Sequence, residues 1–170
     1  TPLSALRLAE LSAELLPPGV LNVVCGGDDA GRALVAHPGV DMVSLTGSTQ
    51  AGRAVARAAA DTVKRLHLEL GGKAPVLVFD DADPEHALAT IAGAAFYNAG
   101  QDCTAATRVL ATPGIHDELV AGLAARAREL RTGDTRDPDT TLGPLNSGEH
   151  RARVEGFLER LPGHASVVTG

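Results

Sequence analysis

Cysteine is scarce: the chain has two, Cys25 and Cys103, far apart and in different surroundings. That spacing suggests no disulfide framework and fits a reducing, cytoplasmic setting. Long apolar runs are missing as well, so no segment is expected to span a membrane. Basic residues form no stripe. The 15 Lys and Arg are interleaved with 21 Asp and Glu for a net charge of −6, which argues against a nucleic-acid partner. The six histidines are dispersed and none has zinc-ligand spacing with a cysteine, so no metal site is expected. The opening Thr1-Pro2-Leu3-Ser4 lacks the charged region and apolar core of a signal peptide. It also lacks an initiator Met, and the chain stops just after a strand-like Val167-Val168, which suggests a piece of a longer protein. There is no internal repeat and no low-complexity tract.

What is present is apolar residues at 44% of 170, enough for one compact domain or parts of two. Ala-rich amphipathic stretches alternate with short Val/Leu runs, the pattern of an α/β fold. Thr1 is expected to cap a first helix with Pro2 in its first turn and Leu3, Leu8, Leu11 and Leu15 on one face. Val20-Leu21-Asn22-Val23-Val24 reads as a buried parallel strand against which Cys25 would pack. Helices are expected over 29–37 and 49–60, and strands at Met42-Val43-Ser44-Leu45 and from Arg65 to Glu69. That is strand–helix–strand–helix–strand, half of a doubly wound, Rossmann-like nucleotide-binding sheet. Gly71-Gly72 breaks the pattern and marks a domain boundary. Beyond it come a strand from Ala74 to Phe79, a helix opened by Asp83-Pro84 with Leu88, Ile91 and Ala95 inward, and a strand from Thr107 to Ala111. A long helix over 115–131, a loop over 132–145 and a helix over 147–161 with Val154, Phe157, Leu158 and Leu161 on one face complete the chain.

Three places could carry chemistry. Cys103, in Gly100-Gln101-Asp102-Cys103-Thr104, sits between a helix end and a strand, where a thiol can meet substrate. The bland alternative is a small buried hydrophobe, and the adjacent Asp102 charge opposes thiolate formation. Glu69 ends an apolar strand, where α/β folds place functional groups, and a carboxylate there can act as a general base or merely as a capping or paired side chain. Thr46-Gly47-Ser48 with Gly52 follows a strand and opens a helix, so backbone N–H groups and the Ser48 hydroxyl can approach a phosphate. Equally, Ser48 or Thr49 can be an ordinary helix cap. Gly71-Gly72-Lys73 is no P-loop, because the upstream Gly is missing and Ala74 stands where Ser or Thr would hold Mg²⁺.

Taken together, these segments resemble the aldehyde dehydrogenase superfamily. Leu45-Thr46-Gly47-Ser48-Thr49-Gln50-Ala51-Gly52 is similar to its Phe-Thr-Gly-Ser-x-x-x-Gly segment, with Leu45 in place of Phe. Leu68-Glu69-Leu70-Gly71-Gly72-Lys73 before Ala74-Pro75 is similar to its glutamate signature, and Gly100-Gln101-Asp102-Cys103 before Arg108 to its cysteine signature. Cys103 follows Glu69 by 34 positions (103 − 69), the order and approximate spacing of the family. Pro17-Pro18-Gly19-Val20-Leu21-Asn22-Val23-Val24 and Leu142-Gly143-Pro144-Leu145 fit as well, so the resemblance covers essentially the whole chain.

The resemblance implies residues 1–70 as the later part of an NAD(P)-binding domain and 71–170 as the start of the catalytic domain, with Cys103 facing the cleft between them. It implies Cys103 as nucleophile and Glu69 as the base that activates water. It implies NAD, or NADP, held through Ser48 and the helix after it, with Gly47 and Gly52 allowing close approach and Leu70 and Gly71 near the nicotinamide. The small-molecule aldehyde would be an amino-aldehyde, because residues 98–106 and 141–145 are most similar to those of 4-aminobutyraldehyde dehydrogenases. Asp102 would attract the cationic end, unless it only caps a turn. Other semialdehyde or betaine-aldehyde dehydrogenases, and a non-catalytic nucleotide-binding fragment, are the alternatives. Retention of Glu69 argues against the type that acylates coenzyme A. The family's oxyanion asparagine, its Lys-x-x-Glu ribose motif and its Glu-x-Phe motif have no counterpart in these 170 residues, so the isolated chain is expected to be inactive. The parent protein is expected to be a homo-oligomer.

Overall fold

A computed structural model describes residues 2–170, so the expected Thr1 cap lies outside the described residues. The chain divides into two compact units, one ending at Leu70 and the other running Gly71–Gly170.

In the first unit, α1 (Leu3–Ser12) and α2 (Asp28–Ala36) precede β1 (Met42–Gly47), α3 (Thr49–Ala60) and β2 (Arg65–Leu70). β1 and β2 pair in parallel, from Met42 opposite Arg65 to Gly47 opposite Leu70. A parallel pair needs a crossover, and α3 supplies it. Strand alternation leaves Val43, Leu45, Leu68 and Leu70 partly buried while Met42, Ser44, Thr46, Arg65, His67 and Glu69 are exposed. α3 packs on the sheet, and its small residues Gly52 and Ala59 are buried. Lys64 is buried, and its ammonium donates to the carbonyls of His37 and Val40, both at 2.7 Å, which ties the entry to β1 to the entry to β2.

Two expectations fail in this unit. Val20-Leu21-Asn22-Val23-Val24 is not a strand: β1 pairs with β2 alone among the described residues, and the segment has no ladder to join. Val20 and Val24 are exposed. Without that strand Cys25 has nothing to pack against, and its thiol is exposed rather than buried on a sheet.

In the second unit, β3 (Pro75–Val78) and β4 (Arg108–Ala111) form another parallel pair, with α4 (Pro84–Phe96) in the crossover. α4 starts where Asp83 accepts from the N–H groups of Glu85 (3.0 Å) and His86 (3.1 Å), with Pro84 next. α5 (Pro113–Glu129) packs on α4, and Arg126 pairs with Glu85 across them. Val78, Leu88, Ile91, Ile115 and Leu119 form the core, with Ala95 only partly buried. Residues 132–145 form a loop pinned by a single bridge from Thr132 to Leu142. Ser147 caps α6 (Gly148–Leu158) by accepting from the His150 N–H at 3.1 Å. The helix expected over 147–161 ends at Leu158, so Leu161 lies beyond it; Val154, Phe157, Leu158 and Leu161 are all exposed and pack no face, and Val167 and Val168 form no strand.

Candidate active site

Cys103 is exposed, and its neighbours fix where it sits. α4 ends at Phe96, and the turn Tyr97–Gly100 reverses the chain through left-handed conformations at Asn98 (φ 51°), Ala99 (φ 57°) and Gly100 (φ 73°). Only glycine takes that region freely, so Ala99 carries strain of about 1–2 kcal/mol. Side chains brace the turn: the Asn98 amide donates to the Gln101 carbonyl at 3.1 Å, and the Gln101 amide to the Asn98 carbonyl at 3.4 Å. After the thiol, Ala105 and Ala106 are buried and anchor the chain. Cys103 thus projects from a short segment held at both ends.

Asp102 closes that segment. Its Oδ1 accepts from the Thr104 N–H and from the Thr104 hydroxyl, each at 2.8 Å. These bonds, the backbone one first, hold the carboxyl below the ordinary aspartate value, helped by a bond from the Cys103 thiol. Asp102 is therefore a turn cap, one of the two roles the sequence leaves open for it. The backbone also comes close behind the nucleophile: a Cβ at Gly72 would stand 4.0 Å from the Cys103 carbonyl oxygen.

Glu69 sits one residue from the end of β2, with its side chain 57% exposed. Its Oε1 lies 3.3 Å from His67 Nε2, on the same face of the strand. The other ring nitrogen, Nδ1, lies 3.1 Å from the Ser44 hydroxyl on β1, the residue opposite His67 in the register. Sequence reasoning gave His67 no role and did not single out Ser44. The His67/Glu69 alternation was a readable signal; the partner on β1 depended on register.

The expected strand–turn–helix forms between β1 and α3. Ser48 caps α3, its hydroxyl accepting from the Ala51 N–H at 3.1 Å. The preceding N–H groups of the helix, at Thr49 and Gln50, have no intrahelical acceptor by geometry. Gly52 sits where α3 meets the end of β2: a Cβ there would stand 2.6 Å from Leu70 Cδ1. Gly47 is less constrained, since its Cβ would make ordinary contact with Leu45 at 3.7 Å. No atom lies within 4 Å of a Cβ at Gly71, so the backbone beside Leu70 is open. Glu69, Leu70, Gly47, Ser48 and Gly52 belong to the first unit, and Gly71 and Cys103 to the second. Among the described residues, no cluster of three or more His, Cys, Asp or Glu side chains could hold a metal, and no helix is long and apolar enough to cross a membrane.

The chain is 47% identical over 161 residues to betaine aldehyde dehydrogenase 2 of Rhizobium meliloti strain 1021, a match covering 94% of the chain and 34% of that protein. A betaine aldehyde dehydrogenase from Staphylococcus aureus, solved in complex with NAD⁺, superposes with a TM-score of 0.89 at 37% identity, covering 94% of this chain and 32% of that one. HpcC from Thermus thermophilus superposes equally well, TM-score 0.89, at 49% identity over 93% of this chain and 31% of that one. The chain spans about a third of the length of these relatives. The Rhizobium and Staphylococcus relatives carry the name betaine aldehyde dehydrogenase rather than the 4-aminobutyraldehyde dehydrogenase that the sequence suggested. The profile of the aldehyde dehydrogenase family matches residues 1–170, and the chain belongs to that family.

Proposed function

We propose that this chain carries the nucleophile and the hydrolytic base of an NAD(P)⁺-dependent aldehyde dehydrogenase. Residues 1–70 are the later part of its cofactor-binding domain and 71–170 the start of its catalytic domain. The observation that supports this most directly is the exposed Cys103 thiol on a turn braced by Asn98, Gln101 and Asp102. Cys103 adds to the aldehyde carbonyl as the thiolate, forming a carbon–sulfur bond, and its own N–H donates to the oxygen that gains the charge. NAD(P)⁺, when bound, supplies the hydride acceptor that takes this adduct to the thioester. Glu69 then takes a proton from water, whose oxygen bonds to the acyl carbon while the carbon–sulfur bond breaks and Cys103 leaves as thiolate. The product is the carboxylate.

The residues present fit a dinucleotide. Ser48 and the uncommitted N–H groups at the start of α3 suit the pyrophosphate, and the close packing of Gly52 on Leu70 brings that helix end against β2. The open space at Gly71 leaves room for the nicotinamide beside Leu70. NAD⁺ is favoured because the Staphylococcus aureus relative was solved with it.

The substrate class is a cationic aldehyde. Betaine aldehyde, from the relatives' names, and 4-aminobutyraldehyde, from the sequence similarity around Cys103, share a positive nitrogen at one end and a carbonyl at the other. The two thiols, both free, suit a reducing cytoplasm. The resemblance further suggests a homo-oligomer, which the mass of the full-length protein in solution would test.

Pre-steady-state kinetics on the full-length protein test the core of this reading. Glu69→Gln should retain a first-turnover burst of NADH and lose steady-state turnover by about 10²-fold or more. Cys103→Ala should abolish both. A normal burst in Cys103→Ala would overturn the assignment of the nucleophile, and unchanged turnover in Glu69→Gln that of the base.

A further inference from the structure

We propose that His67, held by Ser44, is a positioning residue for the Glu69 carboxylate. The inference rests on Glu69 being the hydrolytic base and adds the device that aims it. His67 and Glu69 are two residues apart on β2, so their side chains leave the same face of the strand. Ser44 stands opposite His67 on β1, and Thr46 opposite Glu69. The three polar side chains form one line: Ser44 hydroxyl to Nδ1 at 3.1 Å, then Nε2 to Oε1 at 3.3 Å.

An ionised carboxylate only accepts, so the ring form that favours this contact carries its proton on Nε2, with Nδ1 left to accept from the Ser44 hydroxyl. Oε1 is the carboxylate oxygen beside the ring, and Oε2 is the one left to take the proton of water. Arg65 and Thr46 share the same exposed face; Arg65 is the remaining charged group on it, two residues from His67 and four from Glu69.

The His67 and Glu69 side chains are 59% and 57% exposed. An exposed pair of this kind contributes little to stability, so its value lies in orientation. A glutamate side chain has three rotatable bonds, and one fixed oxygen removes much of that freedom. Partners that orient metal-binding side chains give a scale for such positioning, their loss costing about 10–100-fold.

The test uses the full-length protein and separates acylation from hydrolysis. His67→Ala should lower steady-state kcat about tenfold. It should leave the NADH burst, the aldehyde KM and the rate of Cys103 alkylation within about twofold of wild type, because those precede the step Glu69 performs. His67→Gln restores a donor near Nε2 and should recover most of the loss, and added imidazole should partly rescue His67→Ala. Ser44→Ala should lose kcat in the same direction by a smaller factor. If Glu69→Gln turns over normally, the base assignment itself has failed. If Glu69→Gln is impaired while His67→Ala retains wild-type kcat, or if His67→Ala loses burst and hydrolysis together with no gain in His67→Gln, the positioning role is overturned. Should His67→Ala not fold, His67→Gln and Ser44→Ala decide: with wild-type kcat in Ser44→Ala and a kcat in His67→Gln as low as that of Glu69→Gln, the proposal is wrong.

Discussion

At Asp102 one carboxyl group carries both a negative charge and the turn that presents Cys103, and asparagine separates the two. Asn keeps an Oδ1 that accepts from the Thr104 N–H and hydroxyl, so Asp102→Asn should preserve the turn while removing the charge. If the charge selects cationic aldehydes, kcat/KM for betaine aldehyde or 4-aminobutyraldehyde relative to a neutral aliphatic aldehyde should fall about tenfold, equivalent to about 1.4 kcal/mol. An unchanged ratio would leave Asp102 as a turn cap alone. Its pH behaviour follows from the same bonds. The Thr104 N–H and hydroxyl hold the carboxyl below its ordinary value of 3.8, so the folded form keeps it ionised where the unfolded chain has begun to take up a proton. The turn's contribution is complete above about that value and is lost as pH falls through the depressed folded one. The Thr104 amide resonance should therefore shift with a midpoint below 3.8; a midpoint at or above it would show that Asp102 is not capping the turn. The candidate nucleophile was legible from Gly100-Gln101-Asp102-Cys103, but its bracing was not, because the left-handed Asn98 and Ala99 break the usual preference for glycine at such positions.

Among the elements of the first unit, α3 meets the end of β2 closely at Gly52 and Leu70. Gly52→Val would drive side-chain carbons into Leu70, whose Cδ1 already stands 2.6 Å from a Cβ at that position. Overpacking of this sort costs about 1–3 kcal/mol. The Leu70 side chain would have to shift, next to the strand end that carries Glu69 and leads into Gly71. In the full-length protein the variant should show a lower Tm and a raised KM for NAD⁺; a wild-type cofactor KM would detach Gly52 from the cofactor site. Ser48 makes a separate case. Ser48→Ala removes the cap on α3 and should cost about 1 kcal/mol, while Ser48→Gly should cost only a few tenths. A cofactor KM raised equally in both would mark a hydroxyl contact to the phosphates beyond capping. Most elements were readable because each has a local cause: the Ser48 and Asp83 caps, Pro84 at a helix start, alternation in β1 and β2. Val20-Leu21-Asn22-Val23-Val24 has the composition of a strand, but a strand exists only through its neighbours, and no ladder forms beside it. His67 was missed for a related reason, since its partner Ser44 is set by parallel register and not by local spacing.

The molecule as a whole carries more apolar surface than its small core covers. Leu3, Leu8 and Leu11 of α1, with Leu15 in the turn after it, are 79%, 59%, 50% and 85% exposed. Leu77, Phe79 and Leu110 are exposed at and beside the second sheet, and Val154, Phe157 and Leu158 along α6 with Leu161 just past it. Each parallel sheet has two strands, whereas parallel sheets are ordinarily covered on both faces. At roughly 25 cal/mol per Å² of apolar surface removed from water, these faces represent stabilisation that the 170 residues do not realise by themselves. The matched relatives are about three times as long, which supplies the chain needed to cover such faces. The isolated 170-residue chain should therefore bind a hydrophobic dye such as ANS strongly, self-associate as concentration rises, and unfold over a broad temperature range. The full-length protein should show weak dye binding and a sharper transition. A monomeric isolated chain with a sharp transition and no dye binding would mean that these faces are covered within the chain, contrary to the packing described. NADH formation from aldehyde, measured on the same two samples, then assigns activity: it is expected from the full-length protein and not from the isolated chain, where Cys103 and Glu69 are present but the surfaces around them lack their partners.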